Sequence, residues 1–549
     1  MTKADPATGS FDAVVIVGDT ARPIGLEEIE AVAAGAARVA LHPSAVHRAA
    51  ASEAMIARLV ADRCAIYGVT TGYGPLADHH IDPVQGALLQ RKLVYHLASG
   101  VGAPLPPGEA RAIVVARLAT LSQGLSAVRP ELLHWLCALL NSGLAPIIPE
   151  KGTVGASGDL TPLAHMALAF MGEGAFWHAG VPAPAAAVLA GAGIEPITLG
   201  HKEGLALVNG TSAMAGIAAL NGVRARRLLR IAALLTIAYA EVLGGHRAAW
   251  HPLTAVARPH PGQRRAAALL WALTEDAPRL IPFAPLPGRI VAAGADGVAH
   301  ARMLPQDAYS IRCAPQLLGA VDDMLVHHDR IVGIELSSVT DNPLVFTDQD
   351  TILHAGNFFG QHVSFAADSL YNAVVMLGVW SERQTARLTD ASLNAGLPPF
   401  LQGNATGLNS GFMGAQVTAS ALVAEMRAKS TPASIQSVPT NANNQDVVTM
   451  GTIAARRAGD ALADTARILA IQAMGVAQAI DLRRREDNRP FGVATSALHA
   501  AVRGISSFLD EDRSLSGEIE EIAAYLLSGG VERRIRDAGR DLRRRLEAF

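Results

Sequence analysis

Residues 152–165 read GTVGASGDLTPLAH: three small residues, Ala156-Ser157-Gly158, hemmed by glycines and followed at once by Asp159. Two familiar readings of such a stretch fail. A serine-hydrolase elbow needs Gly-x-Ser-x-Gly, and Asp159 stands where its second glycine belongs. A phosphate loop ends in Gly-Lys-Ser/Thr, which is absent here. A third reading uses the backbone itself. Attack of the Gly158 amide nitrogen on the Ala156 carbonyl carbon closes a five-membered ring, a kink that small residues permit and that the missing Cβ of Gly158 leaves unobstructed. Loss of water from the ring and from the Ser157 side chain leaves an exocyclic methylidene conjugated to carbonyl groups. The product is an electrophile made from the chain, with no external cofactor. Ala-Ser-Gly alone is a weak signal, since small tripeptides abound in loops, so the rest of the chain has to support it.

The 549-residue chain is 50% hydrophobic and 17% charged, but only 5% aromatic. Its apolar mass is Ala, Leu, Val and Ile, which suits close helix–helix packing. A net charge of -3 leaves no electrostatic footprint for nucleic acid or an anionic membrane. Cys64, Cys137 and Cys313 lie far apart without Cys-x-x-Cys spacing. They suggest neither a disulfide framework nor a zinc site, and fit a reducing cytoplasm. The opening MTKADPATGSFDAVVIVGD lacks the basic start and apolar run of a signal peptide. No apolar run approaches the ~20 residues of a membrane span. IAALLTIAYAEVLGG (231–245) carries Glu241, and ARILAIQAMGVAQAI (466–480) carries Arg467, Gln472 and Gln478, so both read as helices buried inside a protein. The adjacent pairs His79-His80 and His327-His328 point apart on a helix or strand and lack a carboxylate at ligand spacing, so no metal is expected.

Periodicity predicts helices at 44–64, 84–99, 108–124, 129–142, 204–243, 316–338, 361–391, 412–429, 446–485, 492–509 and 516–528. Strand signals are few, as at 13–18 and 37–42. Pro- and Gly-rich loops fall at 102–109, 181–185, 281–288 and 396–411. The C-terminal VERRIRDAGRDLRRRLEAF is basic but interleaved with acids, the pattern of a solvated helix face. There is no internal repeat. The pattern implies a mainly α protein in three parts: residues 1–205 as a smaller N-terminal part, 206–485 as a central bundle of long helices, and 486–549 as a helical tail. Helices past ten turns bury their apolar stripes only against one another or against another subunit, so an oligomer is expected.

The longer string GTVGASGDLTPLAH closely resembles the prosthetic-group motif of the aromatic amino acid and histidine ammonia-lyase family, whose members build 4-methylideneimidazol-5-one (MIO) from Ala-Ser-Gly. Further segments resemble family segments in family order: YGVTTGYGPLA (67–77), LVYHLASGVG (93–102), EGLALVNGTSAM (203–214), QDAYSIRCAPQ (306–316), TDNP (340–343), GNFFGQH (356–362) and NANNQDVVTMG (441–451). The match runs from about residue 30 to about 480. It implies the long-helix bundle of the ammonia-lyase (fumarase/aspartase-like) type, with the lid loop and MIO motif in the N-terminal part. It also implies a homotetramer in which each active site draws on three chains.

The reaction implied removes ammonia across Cα–Cβ of an amino acid. The β-hydrogen is hardly acidic and ammonium leaves poorly, so an electrophile for the amine and a base over the β-carbon are both needed. By resemblance, Ala156, Ser157 and Gly158 form MIO and Tyr67 is the base, with a phenol whose ordinary pKa of about 10 must be lowered. Arg312 matches the substrate carboxylate as a planar fork, and Tyr309, three residues earlier on the same helical face, is by resemblance a further catalytic residue. Asn209 and Gln306 hydrogen-bond the prosthetic group or the carboxylate, and Phe358 packs against the reacting groups. Substrate choice falls to two places. His96-Leu97 is associated with tyrosine, since imidazole hydrogen-bonds a phenol hydroxyl. At Asn444-Gln445, histidine-using relatives carry Glu in the Gln445 position. Tyr73 stands where many relatives have Phe, and Tyr95 where histidine is common. The expected activity is deamination of L-tyrosine to 4-coumarate and ammonia. Phenylalanine or histidine deamination and tyrosine 2,3-aminomutation are the alternatives inside the family, and an inactive helical scaffold is the one outside it.

Overall fold

The computed structural model describes residues 13–286, 298, 305–538, 540–547 and 549. The first twelve residues and the end of the proline-rich loop at 281–288 lie outside the described residues. The chain divides into two compact units, one comprising Met1–Val223, His327–Ser369 and Pro432–Gly459, the other Arg224–Val326, Leu370–Thr431 and Asp460–Phe549. Each unit is drawn from three stretches of sequence rather than one. Helices dominate both, and the fold is mainly α. Four helices are long: Ser212–Leu243, Ala314–Leu336, Gln361–Thr389 and Gly451–Glu486, of 32, 23, 29 and 36 residues.

In the first unit, the two strand signals form a parallel pair, Val14–Val17 with Arg38–Leu41. The helix Pro107–Leu121 begins on a proline, whose missing N–H would have had no helical partner. Every residue from Ala110 to Leu121 is buried, Arg111 and Arg117 included. An antiparallel pair, Val101–Pro104 with Pro149–Lys151, delivers the chain into the loop at 152–159. The helix Leu160–Phe170 carries it out again. That helix is apolar on nearly all sides and so lacks the periodic stripe that marks amphipathic helices in the sequence.

In the second unit, the polar residues that interrupt the apolar runs satisfy one another. Trp380 Nε1 and Gln384 Nε2 donate to Thr236 Oγ1 at 3.0 and 3.1 Å, and Ser381 Oγ donates to Gln472 Oε1 at 2.6 Å. Gln478 Nε2 donates to Leu509 O at 2.9 Å, and Glu241 accepts from Gly492 N at 3.0 Å. A buried polar group left unpaired costs about 1–3 kcal/mol, so these helices are matched to one another in register. By composition, Gln361–Thr389 corrects the expectation that no stretch is apolar enough to span a membrane. Yet 67% of its apolar stretch is buried inside the protein, and Tyr371 on it donates its hydroxyl to Met426 O at 2.7 Å. All three cysteines are free thiols.

One predicted helix is broken. The 204–243 pattern appears as Glu203–Val208 and Ser212–Leu243, separated by Asn209-Gly210-Thr211. Asn209 is extended and Gly210 has φ +137°, outside the helical region. Only glycine fits there, because a Cβ would lie 2.3 Å from Thr340 O and 2.4 Å from Arg117 Nη1. Periodicity runs through the break, since the apolar stripe resumes in phase on both sides.

Candidate active site

A cavity of about 1530 Å³ opens in the first unit. Into it face Tyr67, His96, Leu97, Ala156, Ser157, Gly158, Asn209, Phe358, Asn444 and Gln445, ten of the residues singled out in the sequence. The chain collects them from six separated segments. Gln306, Tyr309 and Arg312 do not line it. They belong to the second unit, where Arg312 Nη1 donates to Gln306 Oε1 at 2.8 Å and the guanidinium lies 4.7 Å from the Tyr309 ring centroid.

The loop at 152–159 is tightly clasped. Gly155 and Gly158 both have positive φ, +74° and +71°. A Cβ on Gly158 would fall 2.1 Å from Gly210 O, so the turn presses directly against the break between Glu203–Val208 and Ser212–Leu243. Gly210 O accepts from Asp159 N at 2.7 Å, while Gly210 N donates to Ser157 O at 3.3 Å. Asn209 Nδ2 donates to the same Ser157 O at 3.3 Å, and Gln445 Nε2 donates to Ser157 Oγ at 3.2 Å. On the other side Thr449 Oγ1 donates to Gly155 O at 3.0 Å, and Met450 N to Val154 O at 2.8 Å. Small residues and a compressed turn are what closure of the Ala156–Gly158 ring requires, and Asn209 Nδ2 and Gly210 N are in place on the carbonyl that would become the ring's own, so the residues present fit an MIO group.

Asp159, the acid that follows the turn, is wholly buried. Its carboxyl bonds Thr452 Oγ1 and accepts from Met214 N at 2.7 Å in the first turn of Ser212–Leu243. Burial raises its pKa to about 6, against the smaller opposing pull of the Thr452 hydroxyl and backbone donors. The native state therefore favours the protonated form more than the unfolded chain does. This contribution to stability is full below about pH 4 and disappears as the pH rises through about 6, a span worth about 3 kcal/mol at ~1.4 kcal/mol per unit. Asp159→Asn, neutral at every pH, is expected to remove that slope. Denaturant titrations of both proteins from about pH 4 to about pH 7 should diverge by about 3 kcal/mol, with wild type losing ground at the alkaline end. Parallel curves would show that the carboxyl is not buried as described.

Several residues of the site carried no signal of their own. Thr440 donates its hydroxyl to Gln445 Oε1 at 2.9 Å, which leaves Gln445 Nε2 as the end turned to Ser157. The turn that presents Gln445 runs through Asn441, Ala442 and Asn443, all at positive φ. Asparagine tolerates that region better than most residues, so the Asn-rich run was a legible hint of a turn. Gln90 is buried and ties three segments, donating to Gly68 O at 2.8 Å and Tyr73 Oη at 3.1 Å while accepting from Leu205 N at 2.8 Å. Tyr73 packs edge-on to Tyr67 with ring centroids 6.4 Å apart. Burial, with Tyr67 beside it, pushes the Tyr73 phenol far above its usual pKa, so it stays neutral. Tyr67 Oη accepts from Gly74 N at 2.8 Å. Tyr95 lies outside the cavity and bonds Glu173 at 2.6 Å. Among the described residues no cluster of three or more His, Cys, Asp or Glu is arranged to hold a metal ion.

Comparison with known proteins follows the same lines. The family model described as aromatic amino acid lyase matches residues 24–504. Tyrosine ammonia-lyase of Cereibacter sphaeroides is 48% identical over 509 residues, 92% of this chain and 96% of that protein. Histidine ammonia-lyase of Gloeobacter violaceus is 41% identical over 507 residues, 92% of this chain and 95% of that one. Among solved structures, tyrosine aminomutase from Streptomyces globisporus matches with a TM-score of 0.89 at 39% identity, covering 96% of this chain and 99% of that one. Together with the fold, these matches define a carbon–nitrogen lyase. The chain belongs to the aromatic amino acid lyase family.

Proposed function

We propose that the protein removes ammonia from L-tyrosine to give 4-coumarate, using MIO formed from Ala156, Ser157 and Gly158. The observation that carries this reading is the convergence of that turn, Tyr67 and His96 on one cavity. The 48% identity to a protein named tyrosine ammonia-lyase supports it. MIO would supply an electrophilic carbon that captures the substrate amine and eases its departure.

The chain's own side chains do the rest. Tyr67 takes the β-proton, and the Gly74 N–H donates to its oxygen at 2.8 Å and holds the ring in position. His96 Nδ1 lies 3.2 Å from Lys92 O. A carbonyl only accepts, so Nδ1 carries the hydrogen and Nε2 is left as an acceptor for the substrate's phenol. Leu89, Leu93, Leu97 and Phe358 wall the cavity and exclude water from the reacting carbons. Neutral Gln445 does not match an imidazolium as a carboxylate would, which disfavours histidine.

Arg312 and Gln306 would bind the carboxylate and Tyr309 would join the catalytic groups, completing the site from another chain of a homotetramer. This agrees with a cavity larger than the roughly 300–1000 Å³ of a typical small-molecule site. The test is to incubate the purified protein separately with L-tyrosine, L-phenylalanine and L-histidine and to identify the products. 4-Coumarate as the main product is expected. Cinnamate or urocanate would overturn the reading of the pocket, and β-tyrosine would make the protein an aminomutase.

A further inference from the structure

Under the Asn209-Gly210 break lies a group that the proposed reaction does not use. Arg117, on the helix Pro107–Leu121, is 0% exposed. Its Nη1 donates to Asn209 O at 2.8 Å and, at 3.4 Å, to Ser212 Oγ, while Nε and Nη2 are buried without any hydrogen-bond partner. The carboxylate of Asp341 is taken by Lys202 at 2.6 Å, with both side chains fully buried. Arg117 forms no ion pair of its own among the described residues. Burial lowers its pKa to about 10, so it is still charged at neutral pH. Asp341 and Asp159 attract it without touching it, and a buried cation with no carboxylate in contact is among the costlier groups to hold in a core. Filling space would have been served better by leucine or methionine.

We propose that Arg117 polarises the Ser157 carbonyl through the peptide group of Asn209-Gly210, and so raises the electrophilicity of the ring built on Ser157. The guanidinium donates to the oxygen of that peptide, and the N–H of the same peptide, at Gly210, donates to Ser157 O at 3.3 Å. A donor on an amide oxygen draws density from the amide nitrogen and makes its N–H a stronger donor. Chains of this kind strengthen one another in a low-dielectric interior. In the closed ring the Ser157 carbonyl is conjugated to the methylidene carbon, so pull on the oxygen is felt at that carbon. The missing Cβ of Gly210 allows the guanidinium its approach, since a Cβ there would lie 2.4 Å from Nη1. Arg117 is thus a positioning and polarising residue that touches no substrate atom. The inference rests on the proposal that Ala156, Ser157 and Gly158 form MIO.

The test compares wild type with Arg117→Lys, Arg117→Gln and Arg117→Met. Intact mass comes first, since the ring form is lighter by two waters and the mass gives the fraction of chains that carry it. Each protein is then treated with borohydride. Its hydride adds to the methylidene carbon and solvent supplies the balancing proton, and the trapping rate is expressed per ring. The expected result is trapping on the order of tenfold slower in the Gln and Met variants, with Lys between them and wild type, and kcat falling in step while KM changes by less than about twofold. A purely structural role would lower the ring fraction or the melting temperature but leave trapping per ring unchanged. Equal rates per ring in wild type and Arg117→Gln, or a Lys variant no faster than Gln, would overturn the proposal. The Lys–Gln pair decides it if Arg117→Met does not fold. A wild-type mass without the two-water loss would instead remove the MIO reading, and this inference with it, before any variant is compared.

Discussion

Ser157→Ala should fold normally and release ammonia at least about 10⁴-fold more slowly than wild type, the scale of loss when a group that acts as a unit with its partners is removed. The two halves of this expectation have separate physical grounds. In the folded chain, Ser157 Oγ accepts one hydrogen bond, from Gln445 Nε2 at 3.2 Å, and the side chain is only partly buried. Its loss should therefore cost about 1 kcal/mol. The clasp on the loop is made by backbone and neighbours: Gly210 N and Asn209 Nδ2 on the Ser157 carbonyl, Gly210 O on Asp159 N, and Thr449 on Gly155 O. None of these needs the hydroxyl. The chemistry does need it, because without a leaving oxygen on Cβ no methylidene carbon can form. Three measurements on one preparation check this: ammonia release from L-tyrosine, thermal unfolding and intact mass. A variant that melts with wild type but keeps full activity would sink the proposed mechanism.

His96→Phe is expected to change the ratio of kcat/KM for tyrosine over phenylalanine by on the order of 10²-fold in favour of phenylalanine. A site built around a hydrogen bond rejects the analogue that leaves its polar group unpaired, while an apolar pocket discriminates poorly against an added hydroxyl. His96 ends the helix Gly86–Leu97, is exposed to the cavity, and is oriented by Lys92 O so that Nε2 is free to accept. Phenylalanine in its place removes the acceptor and leaves a tyrosine hydroxyl against an apolar ring. Because the residue lies at a helix end, the change should leave stability within about 0.5 kcal/mol, as for most exposed positions. Steady-state kinetics with both substrates give the ratio directly. An unchanged ratio would mean that specificity is set elsewhere, with Gln445 and its partner Thr440 the next residues to vary.

Much of the helical layout was legible in the sequence because periodicity is local. The patterns at 44–64, 108–124, 316–338 and 361–391 correspond to Pro43–Ala61, Pro107–Leu121, Ala314–Leu336 and Gln361–Thr389, with ends shifted by a few residues. The site was legible in part. Small residues around Ser157 announced a compressed turn, and the structure places that turn where Gly158 can meet Gly210 backbone to backbone. Arg312, Gln306 and Tyr309 were read as members of the same site; in this chain they belong to the second unit and are not among the residues that line the cavity. A sequence motif names residue types and not their places in the fold.

By itself, the sequence determined the mainly helical class, the small-residue turn and ten of the residues that face the cavity, since each of these depends on residues close together or on a motif of fixed spacing. The tertiary structure alone decided the break at Asn209-Gly210, the burial that raises the Asp159 pKa to about 6, and the hydroxyl of Thr440 that orients Gln445. It alone put the unpaired Arg117 beneath the break, 92 residues away along the chain. The physical reason is the same in each case. Dielectric, steric room and the partner of a given N–H are set by what packs across from a residue, and periodicity along the chain carries no record of that.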